Sequence, residues 1–210
     1  EKLDPVKDYM KISENAGEII GQISKGKIKS FEITAYGELI KLDIEPLVVA
    51  VLKGALSSIF HDVNYVNAPF LAKQRGIEIK IIKSEAPSSY TSLLKVKMIT
   101  DIEENNVSVS LIAKNIARVV KLNDYDVVIK PNEHILIVPH INQIAMVAKV
   151  ANALCEDNIN IGSMNVSQNI KGSDMSIMAI DIDSALSEEM LGKISKIDGV
   201  HNPKYIKLNV

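Results

Sequence analysis

The residues best suited to bind a small ligand lie where a predicted strand is followed by a helix. The strand ends in Pro139 and His140, and Asn142 stands where we expect the helix to begin. Asn142 can cap that helix, and the free N–H groups of its first turn suit a carboxylate. Asn160 opens the next strand and is expected to project toward the same end of the sheet as His140. Imidazole and amide groups beside a helix N-terminus suit an α-amino acid, because they can hydrogen-bond its ammonium and a hydroxyl. The alternative is that Asn142 is only a cap and Asn160 only a turn residue.

No motif for catalysis or for nucleotide binding is present in the sequence. The four histidines are scattered without metal-ligand spacing, and there is no glycine-rich phosphate loop and no G-x-S-x-G elbow. Cys155 lies within a predicted amphipathic helix without a basic neighbour, so we interpret it as an inert thiol in the core. We therefore expect a binding function, with no catalytic residue, no metal and no cofactor in this chain.

The composition is that of a folded protein with nearly balanced charge. The 210 residues are 47% hydrophobic and 24% charged, with 24 Lys and Arg against 26 Asp and Glu. This excludes a disordered chain and argues against nucleic-acid binding, which favours a basic excess. No apolar run is long enough to span a membrane, so we expect no membrane partner. A single cysteine excludes a disulfide framework, and we predict a cytoplasmic location.

The first part of the chain has the pattern of helices followed by a sheet. Helical spacing predicts a first helix ending near Gly26, a second after Pro46 and a short third between Asn67 and Gly76. Alternating residues predict a strand over 31–36 and several more between 77 and 129. We expect an α+β unit with a mostly antiparallel sheet, followed by a linker at 130–133.

The second part has the element order of a ferredoxin-like fold. The patterns predict strands over 135–139, 159–166, 175–183 and 205–210, and helices over 143–156 and 187–196. The order β-α-β-β-α-β defines that arrangement. So small a unit has a thin core and commonly pairs with a neighbour, so we expect self-association.

One long string resembles a known family. Residues 63–77 read V-N-Y-V-N-A-P-F-L-A-K-Q-R-G-I, closely similar to the V-N-x-V-N-A-P-x-L-A-x-x-R-G-I run of long-form D-3-phosphoglycerate dehydrogenases. Pro46-Leu47 with residues 50–54, and residues 88–94, resemble the flanking segments of the same family. The resemblance covers nearly the whole chain.

The resemblance implies a regulatory portion of such an enzyme. It implies that residues 1–26 return from a catalytic part that is absent, that 27–130 form the allosteric substrate-binding domain, and that 131–210 form an ACT domain. NAD and the oxidation of 3-phosphoglycerate would belong to the absent part. Because the chain begins at Glu1 rather than Met, we expect a fragment of a longer protein.

For the ACT domain, the resemblance implies that L-serine binds at a dimer interface and lowers activity. The family's ligands are a His and an Asn two residues apart plus a later Asn, and His140, Asn142 and Asn160 occupy those positions. The chain departs from the family at Gln143-Ile144-Ala145, where many ACT domains have Arg-Pro-Gly. Ala145 adds a methyl group where glycine lets the backbone approach a ligand.

For the intervening domain, the resemblance implies a site for phosphate or a phosphorylated acid. The residues expected there are Lys53, Asn67, Lys73 and Arg75, with Arg75 first because its planar fork matches phosphate. The alternative is that Lys73 and Arg75 are solvated residues that stabilise the C-terminal end of a helix.

Two functions other than feedback regulation by serine are alternatives. The same modules occur in iron–sulfur L-serine dehydratases, but Cys155 alone cannot supply the cluster ligands. The other is a structural dimerisation module with a degenerate ligand site, which Ala145 makes credible.

Overall fold

The computed structural model describes residues 5–86, 88–113 and 116–209. It divides the chain into two compact units, Glu1–Asn123 and Asp124–Val210. The stretch predicted as a linker, 130–133, therefore lies inside the second unit. Among the described residues, no helix is both long and apolar enough to cross a membrane.

The first unit is an α+β unit, and the predicted fold class is confirmed. Its helices are α1 (Pro5–Ile23), α2 (Glu45–Ser57) and α3 (Ala68–Gln74), and its strands are β1 (Ile28–Gly37), β2 (Glu78–Ser84), β3 (Ser92–Thr100), β4 (Glu104–Ala113) and β5 (Ile116–Leu122). The strands lie in the order β2-β1-β3-β4-β5. β1 and β2 run parallel, whereas β3, β4 and β5 continue the sheet from β1 in antiparallel pairs.

Helices α1 and α2 contact each other through their backbones. A Cβ atom on Gly54 would lie 2.1 Å from the carbonyl oxygen of Glu14, and one on Gly17 would lie 2.1 Å from that of Val51. Only glycine fits at either position, because any side chain would overlap the facing helix. Tyr9 attaches α1 to the sheet, since its hydroxyl donates to the carbonyl of Ser92 at 3.2 Å.

The second unit contains the predicted ferredoxin-like arrangement. After β6 (Tyr125–Ile129) come β7 (His134–Ile141), α4 (Met146–Glu156), β8 (Ile161–Gln168), β9 (Met175–Ile182), α5 (Glu188–Ser195) and β10 (Lys204–Lys207). The four strands of its sheet follow the order β10-β7-β9-β8, each antiparallel to its neighbour. The last strand ends at Lys207, short of the predicted end at Val210, which itself lies outside the described residues.

One face of this sheet packs against both helices. Its apolar residues form one buried cluster with the inner faces of the helices: Leu136, Val138, Met178 and Ile180 from the strands, Met146, Val150 and Leu154 from α4, and Met190 and Ile194 from α5. Side chains alternate between the two faces of a strand, so residues two apart share a face. The face that holds Leu136 and Val138 therefore also holds the next residue in that series, His140.

Candidate functional site

His140 is a buried polar residue at the end of β7. Its side chain is 3% exposed. Neither ring nitrogen has a hydrogen-bond partner among the described residues. Burial lowers the pKa of His140, and the nearby charge of His201 lowers it further. The ring is therefore neutral at physiological pH, with one nitrogen able to donate and the other able to accept.

Ser176 is a second buried polar residue, and it lies directly opposite His140. The two residues form a register pair between β7 and β9. Directly opposed residues of antiparallel strands project from the same face, with Cβ atoms about 5 Å apart. Ser176 is fully buried, and its hydroxyl also lacks a partner among the described residues. Sequence reasoning missed Ser176, although a serine within the apolar run Met175–Ile180 is a usable signal.

Asn142 does not cap α4, so that prediction was wrong. The helix begins at Met146, its N-cap is Ala145, and no side chain accepts a hydrogen bond there. Ala145 has a φ of 68° and adopts the left-handed conformation, which turns the chain into the helix three residues later than predicted. The N–H of Asn142 instead donates to the carbonyl of Asp174 at 2.7 Å.

Asn142 lines a polar cleft at the same end of the sheet as His140. The cleft has a volume of about 420 Å³. Its wall consists of the segment after β7, the end of β8 and the β8–β9 connection: Ile141, Asn142, Gln143, Gln168, Asn169, Gly172, Ser173 and Asp174. Gln168 is also the register partner of Ser176 on the side away from His140. Amide groups, a hydroxyl and a carboxylate thus line a cleft next to the buried His140–Ser176 pair, and neither His140 nor Ser176 is among its lining residues.

Asn160 lies at the opposite end of the sheet from His140, contrary to the prediction. Ile161 at the start of β8 pairs with Ile182, whereas Gln168 at its end pairs with Ser176. β8 therefore runs in the same direction as β7, with β9 between them. Both strands begin at the same end of the sheet. A strand of this length separates Asn160 from the His140 end by about 25 Å. A single chain does not bring Asn160 and His140 together.

Cys155 is exposed, so the prediction of a core thiol was wrong. It follows Leu154, which is the buried residue of that turn of α4. One residue along a helix rotates the side chain by about 100°, so Cys155 projects away from the core. Its position on an amphipathic helix was predicted, but the face was not.

In the first unit, Lys53 is already engaged with a buried carboxylate. Its Nζ donates to Oε1 of Glu14 at 2.6 Å and lies 4.6 Å from the ring centre of Tyr65. The Tyr65 hydroxyl donates to the other oxygen of Glu14. Burial raises the pKa of Glu14, but the hydrogen bonds from Lys53 and Tyr65 outweigh burial and hold that pKa below its usual value. Burial and the bond to Glu14 raise the pKa of Tyr65 to about 12.

The other residues expected to bind an anion lie on and around α3. The Asn67 side chain accepts from the N–H of Asn64 at 2.8 Å and donates to the carbonyl of Asp62 at 2.9 Å, so it orders the loop and does not cap α3. Lys73 lies in the last turn of α3, and the Arg75 guanidinium lies 4.6 Å from the ring centre of Phe60. Both are exposed. The anion site stays a prediction.

Comparison with known proteins decides the family. Residues 5–123 match the model of the D-3-phosphoglycerate dehydrogenase intervening domain. The chain belongs to this family. The predicted resemblance to D-3-phosphoglycerate dehydrogenases is thereby confirmed, and the matched range ends where the first unit ends.

Curated phosphoglycerate dehydrogenases align with nearly all of the chain. The D-3-phosphoglycerate dehydrogenase of Synechocystis is 31% identical over 99% of this chain, and that of Methanocaldococcus jannaschii is also 31% identical over 99%. The Bacillus subtilis enzyme is 26% identical over 97%. The chain spans only 37–39% of the length of these relatives.

Proposed function

We propose that this chain is the regulatory portion of a D-3-phosphoglycerate dehydrogenase and that its second unit is an ACT domain that binds L-serine. Serine binding would give feedback control over serine biosynthesis in the cytoplasm. The NAD-dependent oxidation of 3-phosphoglycerate would reside in another part of the full-length enzyme. The names of the relatives support the parent enzyme.

The observation that carries the serine site is the unpartnered imidazole of His140. A polar group buried without a hydrogen-bond partner costs about 1–3 kcal/mol, so a ring with both nitrogens unpartnered is expensive unless something else binds it. Asn142 is one of the residues that line the neighbouring cleft. An amino acid offers a carboxylate, an ammonium and, for serine, a hydroxyl, which match these donors and acceptors.

Self-association would supply Asn160, which a single chain cannot bring to the site. β8 is an edge strand of the four-stranded sheet, and an edge strand is a ready template for pairing with another chain. β6 already bonds the outer side of β8 just beyond its end, where Tyr125 bridges Asn169 and the N–H of Ile170 donates to the carbonyl of Asp124. If two copies pair antiparallel along the rest of this edge, the start of β8 in one copy lies near the end of β8 in the other. Asn160 of the second copy then reaches the end of the sheet that holds His140.

The outer face of α4 supports the same dimer. An apolar stripe at helical spacing runs along it and into the preceding turn: Ile144, Val147, Ala148, Ala151 and Cys155. Ile144 is 98% exposed and Val147 is 43% exposed. Because α4 connects β7 to β8 and β9 lies between those strands, this helix belongs to the β8 side of the unit. The stripe and the β8 edge would be covered together.

Titration calorimetry tests the ligand. We expect heat on adding L-serine and little on adding D-serine or glycine. His140→Ala and Asn142→Ala should each weaken binding by about tenfold or more, whereas His61→Ala, an exposed histidine of the first unit, should bind normally. Absence of heat with millimolar L-serine would exclude the assignment. Normal binding by His140→Ala would place the site elsewhere.

Sedimentation tests the dimer. Val147→Glu introduces a charge into the apolar stripe and should yield a monomer, and Lys149→Glu on the same helix changes charge outside the stripe and serves as its control. Serine should tighten the dimer, since each site would take residues from both copies. If the wild type and Val147→Glu are both monomeric and both bind serine, the site does not take residues from two copies.

One feature favours a second function, a dimerisation module without a ligand. Ala145 holds a left-handed conformation that favours glycine, and its methyl group lies at the start of the helix that would receive the carboxylate. This function predicts a dimer whose dissociation constant does not change with serine and a calorimetric trace without heat.

Phosphate or a phosphorylated acid remains our proposed ligand for the intervening domain. Arg75→Gln should lower the affinity for inorganic phosphate, and Lys73→Gln should lower it less. If the wild type and Arg75→Gln bind inorganic phosphate with equal affinity, Lys73 and Arg75 are solvated residues at a helix end and do not form an anion site.

A further inference from the structure

Unpartnered buried polar atoms are concentrated at one place in this molecule. Among the described residues, four side-chain atoms are buried without a hydrogen-bond partner: Ser13 Oγ, Ser176 Oγ and both ring nitrogens of His140. Three of these four belong to the His140–Ser176 pair. Native proteins satisfy the large majority of such groups, so the concentration at one pair requires an explanation.

The two side chains lie close enough to each other to hydrogen-bond the same small molecule. They are register partners on adjacent strands and project from the same face of the sheet. The neutral ring offers one donor and one acceptor, and the hydroxyl can rotate to donate or accept. The same face is otherwise occupied by apolar residues such as Val138 and Met178. A polar ligand atom that entered here would find its hydrogen-bond partners only in this pair and the cleft beside it.

We propose that Ser176 is a specificity-determining residue of the amino-acid site, selecting a ligand that carries a side-chain hydroxyl over one that does not. This inference rests on the proposed serine site. A site built around a buried hydrogen-bonding group rejects an analogue that lacks the matching group, because the protein group then stays unpaired. Ser176 therefore distinguishes L-serine from L-alanine, which differ only by that hydroxyl.

The experiment compares two ligands and two variants by calorimetry, with thermal unfolding measured in parallel. The wild type should bind L-serine more tightly than L-alanine. Ser176→Ala should weaken the binding of L-serine by about tenfold and leave the binding of L-alanine nearly unchanged, since one hydrogen bond to the ligand hydroxyl is lost. Ser195→Ala, at the exposed end of α5, is the matched control and should preserve the wild-type ratio.

Thermal unfolding separates ligand selection from a structural role. Without ligand, Ser176→Ala should unfold at the same temperature as the wild type or a higher one, because the substitution removes an unsatisfied hydroxyl. A lower unfolding temperature with an unchanged ratio of affinities would mean that Ser176 serves the fold, and would overturn the inference. If the wild type binds L-serine and Ser176→Ala still prefers L-serine to L-alanine, the role of Ser176 is wrong but the proposed serine site stands. If the wild type binds neither amino acid, the proposed function fails as well.

Discussion

Ala145→Gly should stabilise the second unit. Ala145 is the N-cap of α4 and has a φ of 68°. The left-handed conformation costs a residue with a Cβ roughly 1–2 kcal/mol. Removing this cost would stabilise the fold, but glycine loses more conformational freedom than alanine on folding, which offsets about 0.4–1 kcal/mol of the stabilisation. Glycine is also preferred over alanine at the N-cap. The expected net gain in the free energy of unfolding is therefore about 1 kcal/mol.

Urea unfolding followed by circular dichroism measures this gain, and Lys149→Gly is the control. Lys149 is exposed within α4, where glycine costs up to about 1 kcal/mol. The two glycine variants should therefore change stability in opposite directions. If Ala145→Gly lowers the urea midpoint as Lys149→Gly does, the left-handed conformation of Ala145 does not destabilise the second unit. Calorimetry on Ala145→Gly shows whether removing the methyl group also tightens the binding of L-serine.

Three further predictions concern other parts of the molecule. Gly54→Ala should destabilise the first unit by roughly 2 kcal/mol or more, because its Cβ would lie 2.1 Å from a backbone oxygen of α1; Gly192→Ala, whose Cβ meets nothing within 4 Å, should be neutral or stabilising in the same urea assay. Glu14→Gln should destabilise at pH 7, and the deficit should shrink as the pH falls below about 4.5, since the lowered pKa of Glu14 stabilises the fold only while the carboxylate is charged; a deficit that grows in acid would contradict the ion pair with Lys53. Cys155 is exposed in the single chain but belongs to the stripe that the proposed dimer covers, so a thiol reagent should modify it faster in the monomeric Val147→Glu variant than in the wild type; equal rates would show that the dimer leaves this face of α4 open.

The candidate site shows how far local pattern reasoning extends. The strand–helix junction at His140 and Asn142 was found because residue type and element order are local properties of the chain. Ser176 was missed because its significance depends on the register between β7 and β9, which pairs residues far apart in sequence. The role of Asn142 was misjudged because the left-handed Ala145 delays the start of α4, and alanine carries no sequence signal for that conformation.

Periodicity and one long specific string predict the two regions, the order of their elements and the family, because these signals do not depend on which residues come into contact. Which polar groups meet depends on the three-dimensional packing of the elements. Strand order placed Asn160 and His140 at opposite ends of the sheet, and packing placed Lys53 on a buried Glu14 and turned Cys155 outward. These outcomes depend on which faces become buried when the elements pack together. A buried polar or charged group destabilises the fold unless it has a hydrogen-bond or ion-pair partner, so burial determines which pairs form.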